Sequence, residues 1–298
     1  MLSQILLNGI IAGSIYALIA LGFAIIYKTV RFFHFAHGVV YTAGAYLAFT
    51  MAISLNLNLL ISLLLASAFA GIIGVSIDRF VYAPLRKQKA PDLVFLITSF
   101  GVFIFLQNFI QLIYGAHILT LRTGPIKEGF QLSFFSYQLG AVITEIQILI
   151  LVTSAMLSVV LWLFVKRTKL GKAMRAVSDD KIAASLVGIY PAKTIVAAFA
   201  IGSALAGTAG MLISLETNIE PTMGLNAILK GIIASIIGGI GSIPGAMFGG
   251  LFLGIVENLG IWKIQAGWKD CIAFAILIFF LLLRPEGIWG TKTEKDRL

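Results

Sequence analysis

The chain has 298 residues, of which 59% are hydrophobic and only 12% charged, with a formal net charge of +9. Water-soluble domains carry about 25% charged residues, so there is too little polar surface here to cover a soluble globule. The apolar runs are continuous rather than alternating, which argues for several membrane helices and against a β-barrel.

Residues 2–27 open the chain with an apolar run longer than a signal-peptide core. It has no basic start and no small-residue cleavage site, and so reads as a first span. It carries Gly9-x-x-x-Gly13, a spacing that lets helices approach closely in lipid. Residues 38–77 are uncharged and too long for one helix, and Asn56 and Asn58 mark the break between a second span (38–53) and a third (59–77). Residues 78–92 read as a short basic loop and 93–114 as the fourth span. Residues 115–144, with Gly124-Pro125 and Gly129, read as a looser outer region. The fifth span is 146–165 and the sixth 194–215.

Residues 231–256 are uncharged but interrupted by GGIGSIPG, where glycine and proline end or kink a helix. Gly241, Pro244 and Gly245 are the candidate helix break, separating a seventh span (225–237) from an eighth (244–258). Gly245-x-x-x-Gly249 and Gly250-x-x-x-Gly254 give the eighth a face that requires a helix partner. Residues 268–283 form the last span, and the charged tail lies inside. Seventeen of the 22 Lys and Arg fall in the four loops assigned to the cytoplasm (28–36, 79–92, 166–193, 284–298), as the positive-inside rule requires. Lys230 is placed near the outer end of its span, where a lysine snorkels. The expected fold is therefore all-α and polytopic, one domain over residues 1–298. It has eight or nine transmembrane helices, depending on whether 225–258 crosses twice.

No enzyme constellation stands out. His34 and His37 have no acidic or thiol neighbours at metal-ligand spacing, Cys271 is the single cysteine, and the phosphate-loop pattern is missing. No metal, cofactor or nucleic-acid partner is expected. Polar residues inside spans are the better signal, because burying them in lipid is costly without a partner. Asn8, Gln107, Asn108, Gln111, Glu257 and Asn258 are the candidates for a translocation pathway, against the plainer reading of interhelical hydrogen bonding. No pair of opposite charges is expected mid-membrane, which weighs against an ion-coupled carrier. The loop 166–193 has a basic part, 166–175, continuing the fifth span. A short helix follows, capped by Asp179 or Asp180 and ended by Gly188, with Ile182, Ala183, Leu186 and Val187 on one side.

Five segments, in order and covering nearly the whole chain, carry a resemblance: NGIIAGSIYALIALGFAIIY (8–27), FAHG (35–38) followed by Gly44-Ala-Tyr, GKAMRAVSDDKIAASLVGI (171–189), GGIGSIPGAMFGGLFLG (238–254) and RPEGIWG (284–290). Together they resemble the LivH-type inner-membrane permeases of ABC importers for branched-chain amino acids. The resemblance implies a subunit without catalysis of its own. It would work with a second, homologous permease subunit, two ATP-binding cassette ATPases, and a periplasmic or surface substrate-binding protein, in the lipid of a bacterial inner membrane. It also implies that loop 166–193 docks on the ATPase, through Asp180, Ala183, Ala184, Leu186 and Gly188. The loop departs from the EAA---G pattern of many such permeases, since Ile182 fills the acidic position and Asp180 lies upstream. Related permeases for urea, amides or other amino acids share these motifs, and a stand-alone channel or carrier is the rival from another class.

Overall fold

The structure, a computed structural model, describes residues 2–121, 130–134 and 137–290. Arg122, Gly124, Pro125, Lys127 and Gly129 of the outer region, and the tail 291–298, lie outside the described residues.

Helix α1 (Leu2–Val30) stops at Arg31, whose φ of +67° turns the chain out of helical geometry. Helix α2 (Ala36–Phe49) runs on through a π turn, Thr50–Ser54. The break expected at Asn56 and Asn58 lies there: Asn56 has φ +51°, and the Asn58 Oδ1 accepts from the Leu60 amide at 2.9 Å to cap α3 (Leu59–Ile77). The basic segment after α3 differs from the expected loop. A π turn (Asp78–Tyr82) and α4 (Ala83–Lys87) continue the helix. Arg86 donates to both carboxylate oxygens of the fully buried Asp78, at 2.7 and 3.1 Å. Charges that read as loop residues are thus an ion pair along one helical segment.

Helix α5 (Asp92–Tyr114) precedes a small antiparallel hairpin, β1 (Phe130–Phe134) and β2 (Tyr137–Ile143), with Phe130 opposite Ile143. Gln4 of α1 takes up the Val142 backbone of β2, accepting from its N–H at 2.8 Å and donating to its carbonyl at 3.1 Å. A capping box between Thr144 and Gln147 starts α6 (Glu145–Arg167). The basic part of the next loop does not continue α6. Thr168 adopts an extended conformation and its hydroxyl accepts from Gly171, starting a separate α7 (Lys169–Asp179). Then come α8 (Lys181–Leu186), α9 (Pro191–Glu216), α10 (Met223–Gly238), α11 (Ile243–Gly260) and α12 (Lys269–Leu283).

Among the described residues, seven helical segments are long and apolar enough to cross a membrane: Leu2–Val30, Ala36–Ser54, Leu59–Lys87, Asp92–Tyr114, Glu145–Arg167, Pro191–Glu216 and Ile243–Gly260. The protein is an all-α polytopic membrane protein, the hairpin being its only described sheet. The spans form two layers. In α1 83% of the most apolar stretch is buried, against 22% in α5, so α1 is a central post and α5 a peripheral helix. Helices α11, α9, α10 and α6 pack around the post, and α2 packs behind it against α9 and α10.

Apolar side chains gain little by leaving lipid for a helix interface, so the packing must come from close approach and interhelical hydrogen bonds. Gly9 and Gly13 of α1 meet Gly254 and Gly250 of α11 backbone to backbone. A Cβ on Gly13 would sit 2.8 Å from the Leu251 Cα and 3.0 Å from the Gly250 oxygen. On the opposite side Gly22 faces Gly202 of α9, where a Cβ on either would lie 2.6 Å from the other's carbonyl oxygen. The glycine face of α11 thus finds its partner in α1, with Gly249 against the Ala234 carbonyl of α10.

Gly13→Ala is expected to force α1 and α11 apart at a cost of about 1–3 kcal/mol, lowering the thermal unfolding midpoint in detergent. Gly101→Ala, on α5 where an added Cβ meets nothing within 4 Å, should leave the midpoint unchanged or raise it slightly. Equal effects of the two changes would contradict the post-and-ring packing.

Candidate functional site

The helices bring two groups of residues to opposite ends of the bundle. At one end, the start of α1, the end of α9, the start of α10 and the end of α11 surround a cavity of about 470 Å³, joined by Gln147 of α6 and Lys269 of α12. Its wall is aliphatic along Ile11, Ile15, Ile19 and Ile213. Its polar lining includes Asn8, Tyr16, Glu216, Asn226, Lys230 and Asn258.

Lys230 is the centre of this polar group. Its Nζ lies 2.5 Å from Glu257 Oε1 and 2.9 Å from Asp270 Oδ1, joining α10 to α11 and α12. The Tyr16 hydroxyl of α1 donates to the other Glu257 oxygen at 3.0 Å. Glu257 is fully buried and Lys230 is 8% exposed. Two expectations are corrected here. Lys230 does not snorkel at an outer end, and a buried pair of opposite charges does exist within the bundle. The pair is hidden in the sequence because its members are 27 positions apart and on different helices. The signal that could have found it is the place of Lys230, seven residues into the 16-residue α10, since an ionisable residue inside a span demands a named partner.

The candidates from the sequence are placed differently from one another. Asn8 and Asn258 line the cavity and Glu257 lies directly behind Lys230. Asn8 accepts from Gln4 at 3.1 Å, and Asn258 donates to the Gly254 carbonyl at 2.8 Å. Gln107, Asn108 and Gln111 are on α5, away from this cavity, on a face that also exposes Ile104, Phe105 and Leu112. Asn108 is exposed and donates to the Ile104 carbonyl of its own helix. His34 and His37 are both buried, and His34 Nδ1 is 2.9 Å from the Tyr82 hydroxyl.

At the opposite end, Asp180 caps α8 by accepting from Ile182 at 2.7 Å and Ala183 at 3.1 Å. Gly188, at φ +82°, takes the chain away from α8, with open space around it. Ile182, Leu186 and Val187 are 74%, 82% and 75% exposed, and Ala183 is exposed beside them, while Ala184 is buried against its own chain. Lys181 is held below the usual lysine range, first by partial desolvation and then by Arg86 and Arg31, so the start of α8 lies by the ends of α4 and α1. Helix α7 seats this knob. It buries Gly171, Met174, Val177 and Ser178, and Arg31 donates to the Ser178 carbonyl at 2.7 Å. The α10–α11 turn is at the same end. Gly239 and Gly241 have φ of +107° and +83°, Pro244 stands in the first turn of α11, and the Ser242 hydroxyl accepts from Gly245.

Long apolar helices around a central post, with a two-signed cavity at one end and a capped, outward-facing helix at the other, are the features of a membrane permease. Residues 5–281 match the family described as branched-chain amino acid transport system / permease component, and the chain belongs to that family. It is similar to the high-affinity branched-chain amino acid transport system permease protein LivH of Escherichia coli K12, at 38% identity over 96% of this chain and 95% of the relative. BraD of Pseudomonas aeruginosa, described in the same words, is 40% identical over the same shares. The probable branched-chain amino acid transport permease protein LivH of Methanocaldococcus jannaschii is 29% identical over 98% and 94%. The chain is thus a multi-pass membrane permease subunit of an ABC importer, and the family is one of permease components rather than enzymes.

Lys230→Met leaves the buried Glu257 carboxylate with only Tyr16 and is expected to cost about 3 kcal/mol of stability. Adding Glu257→Met should restore part of that loss. Thermal unfolding of both single variants and the double variant checks this, and strictly additive losses would contradict the pairing.

Proposed function

We propose that this chain passes branched-chain amino acids across the bacterial inner membrane, as one permease subunit of an ATP-driven importer. The observation that carries the substrate assignment is the cavity at the Lys230 end. It combines ammonium and carboxylate groups, which suit the two charges of an α-amino acid, with an isoleucine wall, which suits an aliphatic side chain. The printed functions of the relatives support the same substrate class.

The orientation that agrees with the positive-inside rule puts the cavity outside and α7–α8 in the cytoplasm. The seven long segments, with the shorter α10 and α12 added, then make nine crossings, the amino terminus outside and the carboxyl terminus inside. Delivery by a periplasmic or surface binding protein at the outer end follows from that arrangement. The pathway includes Asn8, Glu257 and Asn258. Gln107, Asn108 and Gln111 would join it where a second, homologous permease subunit covers α5, because these polar groups are costly against lipid. The Gly241–Pro244–Gly245 break lets α10 and α11 each cross.

Two ATP-binding cassette ATPases supply the energy, one of them docking on the 166–193 loop. Asp180 caps the docking helix, Ala183 and Leu186 form its surface, Ala184 anchors it and Gly188 ends it. The exposed apolar side of a helix held on α7 supports this reading.

Leu186→Asp changes only an exposed side chain, so insertion should be normal while ATPase association and ATP-driven leucine uptake fall at least tenfold in the reconstituted importer. Unlabelled isoleucine and valine should compete for wild-type uptake, and urea should not. Uptake by the purified chain without any ATPase, or competition by urea alone, would overturn the assignment.

A further inference from the structure

At the α7 end a second cavity, of about 440 Å³, opens between α1, α6, α7 and the α10–α11 turn. Four basic side chains line it: Lys28 at the end of α1, Arg31 just beyond, Lys166 at the end of α6 and Arg175 in the middle of α7. Asp179 is the one acidic residue in the lining. Among the described residues none of the four makes an ion pair. Arg31 is partly used by the Ser178 carbonyl, and the Lys166 ammonium stands 4.6 Å above the Trp162 ring.

The positive-inside rule accounts for basic residues at this end. It does not account for their convergence on one concavity from three separate helices. Asp179 faces Lys28 and offsets part of this charge, but one carboxylate against four cations leaves the cleft with a net positive charge that a bound anion would balance. The Lys28 stem runs along Gly241, 3.6 Å from where a Cβ would sit, so Lys28 lies against the turn that leads into α11. Trp162 and Trp289, 37% and 45% exposed, stand at the rim, where indoles favour the boundary between headgroups and acyl chains.

We propose that this cleft binds a phosphate group, whose oxygens meet Lys28, Lys166 and Arg175. Basic pockets between membrane helices at the cytoplasmic face suit anionic headgroups, and a free phosphate compound offers the same oxygens. The occupant would bridge α7, which seats α8, to the α10–α11 turn. The site is independent of which substrate the permease carries.

The test uses the full chain in nanodiscs of phosphatidylcholine with a trace of fluorescent phosphatidylglycerol, and in a second arm inorganic phosphate and pyrophosphate titrated directly by calorimetry. Three forms are compared: wild type, Lys166→Gln/Arg175→Gln, and Lys87→Gln/Lys89→Gln. The last loses the same charge at the same end but outside the cleft. Wild type and the Lys87/Lys89 variant are expected to enrich phosphatidylglycerol equally, and the cleft variant at least fivefold less. Direct calorimetric binding of pyrophosphate that the cleft variant loses, with no lipid enrichment, would support the site with a free phosphate compound as its occupant. Arg175→Lys, which keeps the charge, should keep most of the binding and guards against a folding defect in the double variant. Equal losses in the cleft and control variants, no phosphate binding in either arm, or a cleft variant that loses only ATPase association would overturn the proposal.

Discussion

Everything else in this molecule depends on how closely α1 is packed. Lipid offers apolar side chains as good a surrounding as another helix does, so a buried apolar helix needs a reason to stay buried. Here the reason is backbone contact on two sides, through Gly9 and Gly13 against α11 and through Gly22 against α9. Small residues allow dispersion contacts between backbones that larger side chains would hold apart. The result is a post that cannot shift at one end without displacing its neighbours.

The post carries polar connections at its middle and just beyond its carboxyl end. Tyr16 donates to the Glu257 carboxylate, and Lys230 bridges Glu257 to Asp270, so α1 is tied to α10, α11 and α12 beside the Lys230 cavity. Some fifteen residues further on, Arg31 holds the Ser178 carbonyl at the end of α7, immediately before the capped α8. The proposed substrate cavity and the proposed docking helix therefore share one rigid element. An ion pair as buried as Lys230–Glu257 contributes little net stability once desolvation is counted, and breaking it on one side is expensive. Such a cluster fixes the relative positions of the helices it joins and presents charge to the cavity.

The long apolar runs made most of the fold legible, because a stretch of about 20 apolar residues has few alternatives to a span. Asn58 was readable as a cap and GGIGSIPG as an interruption because local backbone chemistry decides both. What was not legible depends on partners distant in the chain. Asp78 and Arg86 read as loop charges because their pairing requires an intervening π turn. Lys230 read as a snorkelling lysine because nothing in its own helix announces Glu257 or Asp270. The boundary between α6 and α7 does not show in the sequence, since one extended residue, Thr168, divides two stretches that both favour helix. Of the candidate site, Asn8, Glu257 and Asn258 come together only through the α1–α11 contact. Gln107, Asn108 and Gln111 stay apart on α5, on the face that the single chain leaves uncovered.

We infer that α1 transmits force between the proposed docking helix and the proposed cavity, with Arg31 as its connection to α7. The most direct measurement is the number of leucine molecules imported per ATP hydrolysed by the reconstituted importer carrying Arg31→Ala. The account predicts normal ATPase association and continuing hydrolysis, with leucine moved per ATP falling at least tenfold. An unchanged ratio of transport to hydrolysis would contradict it.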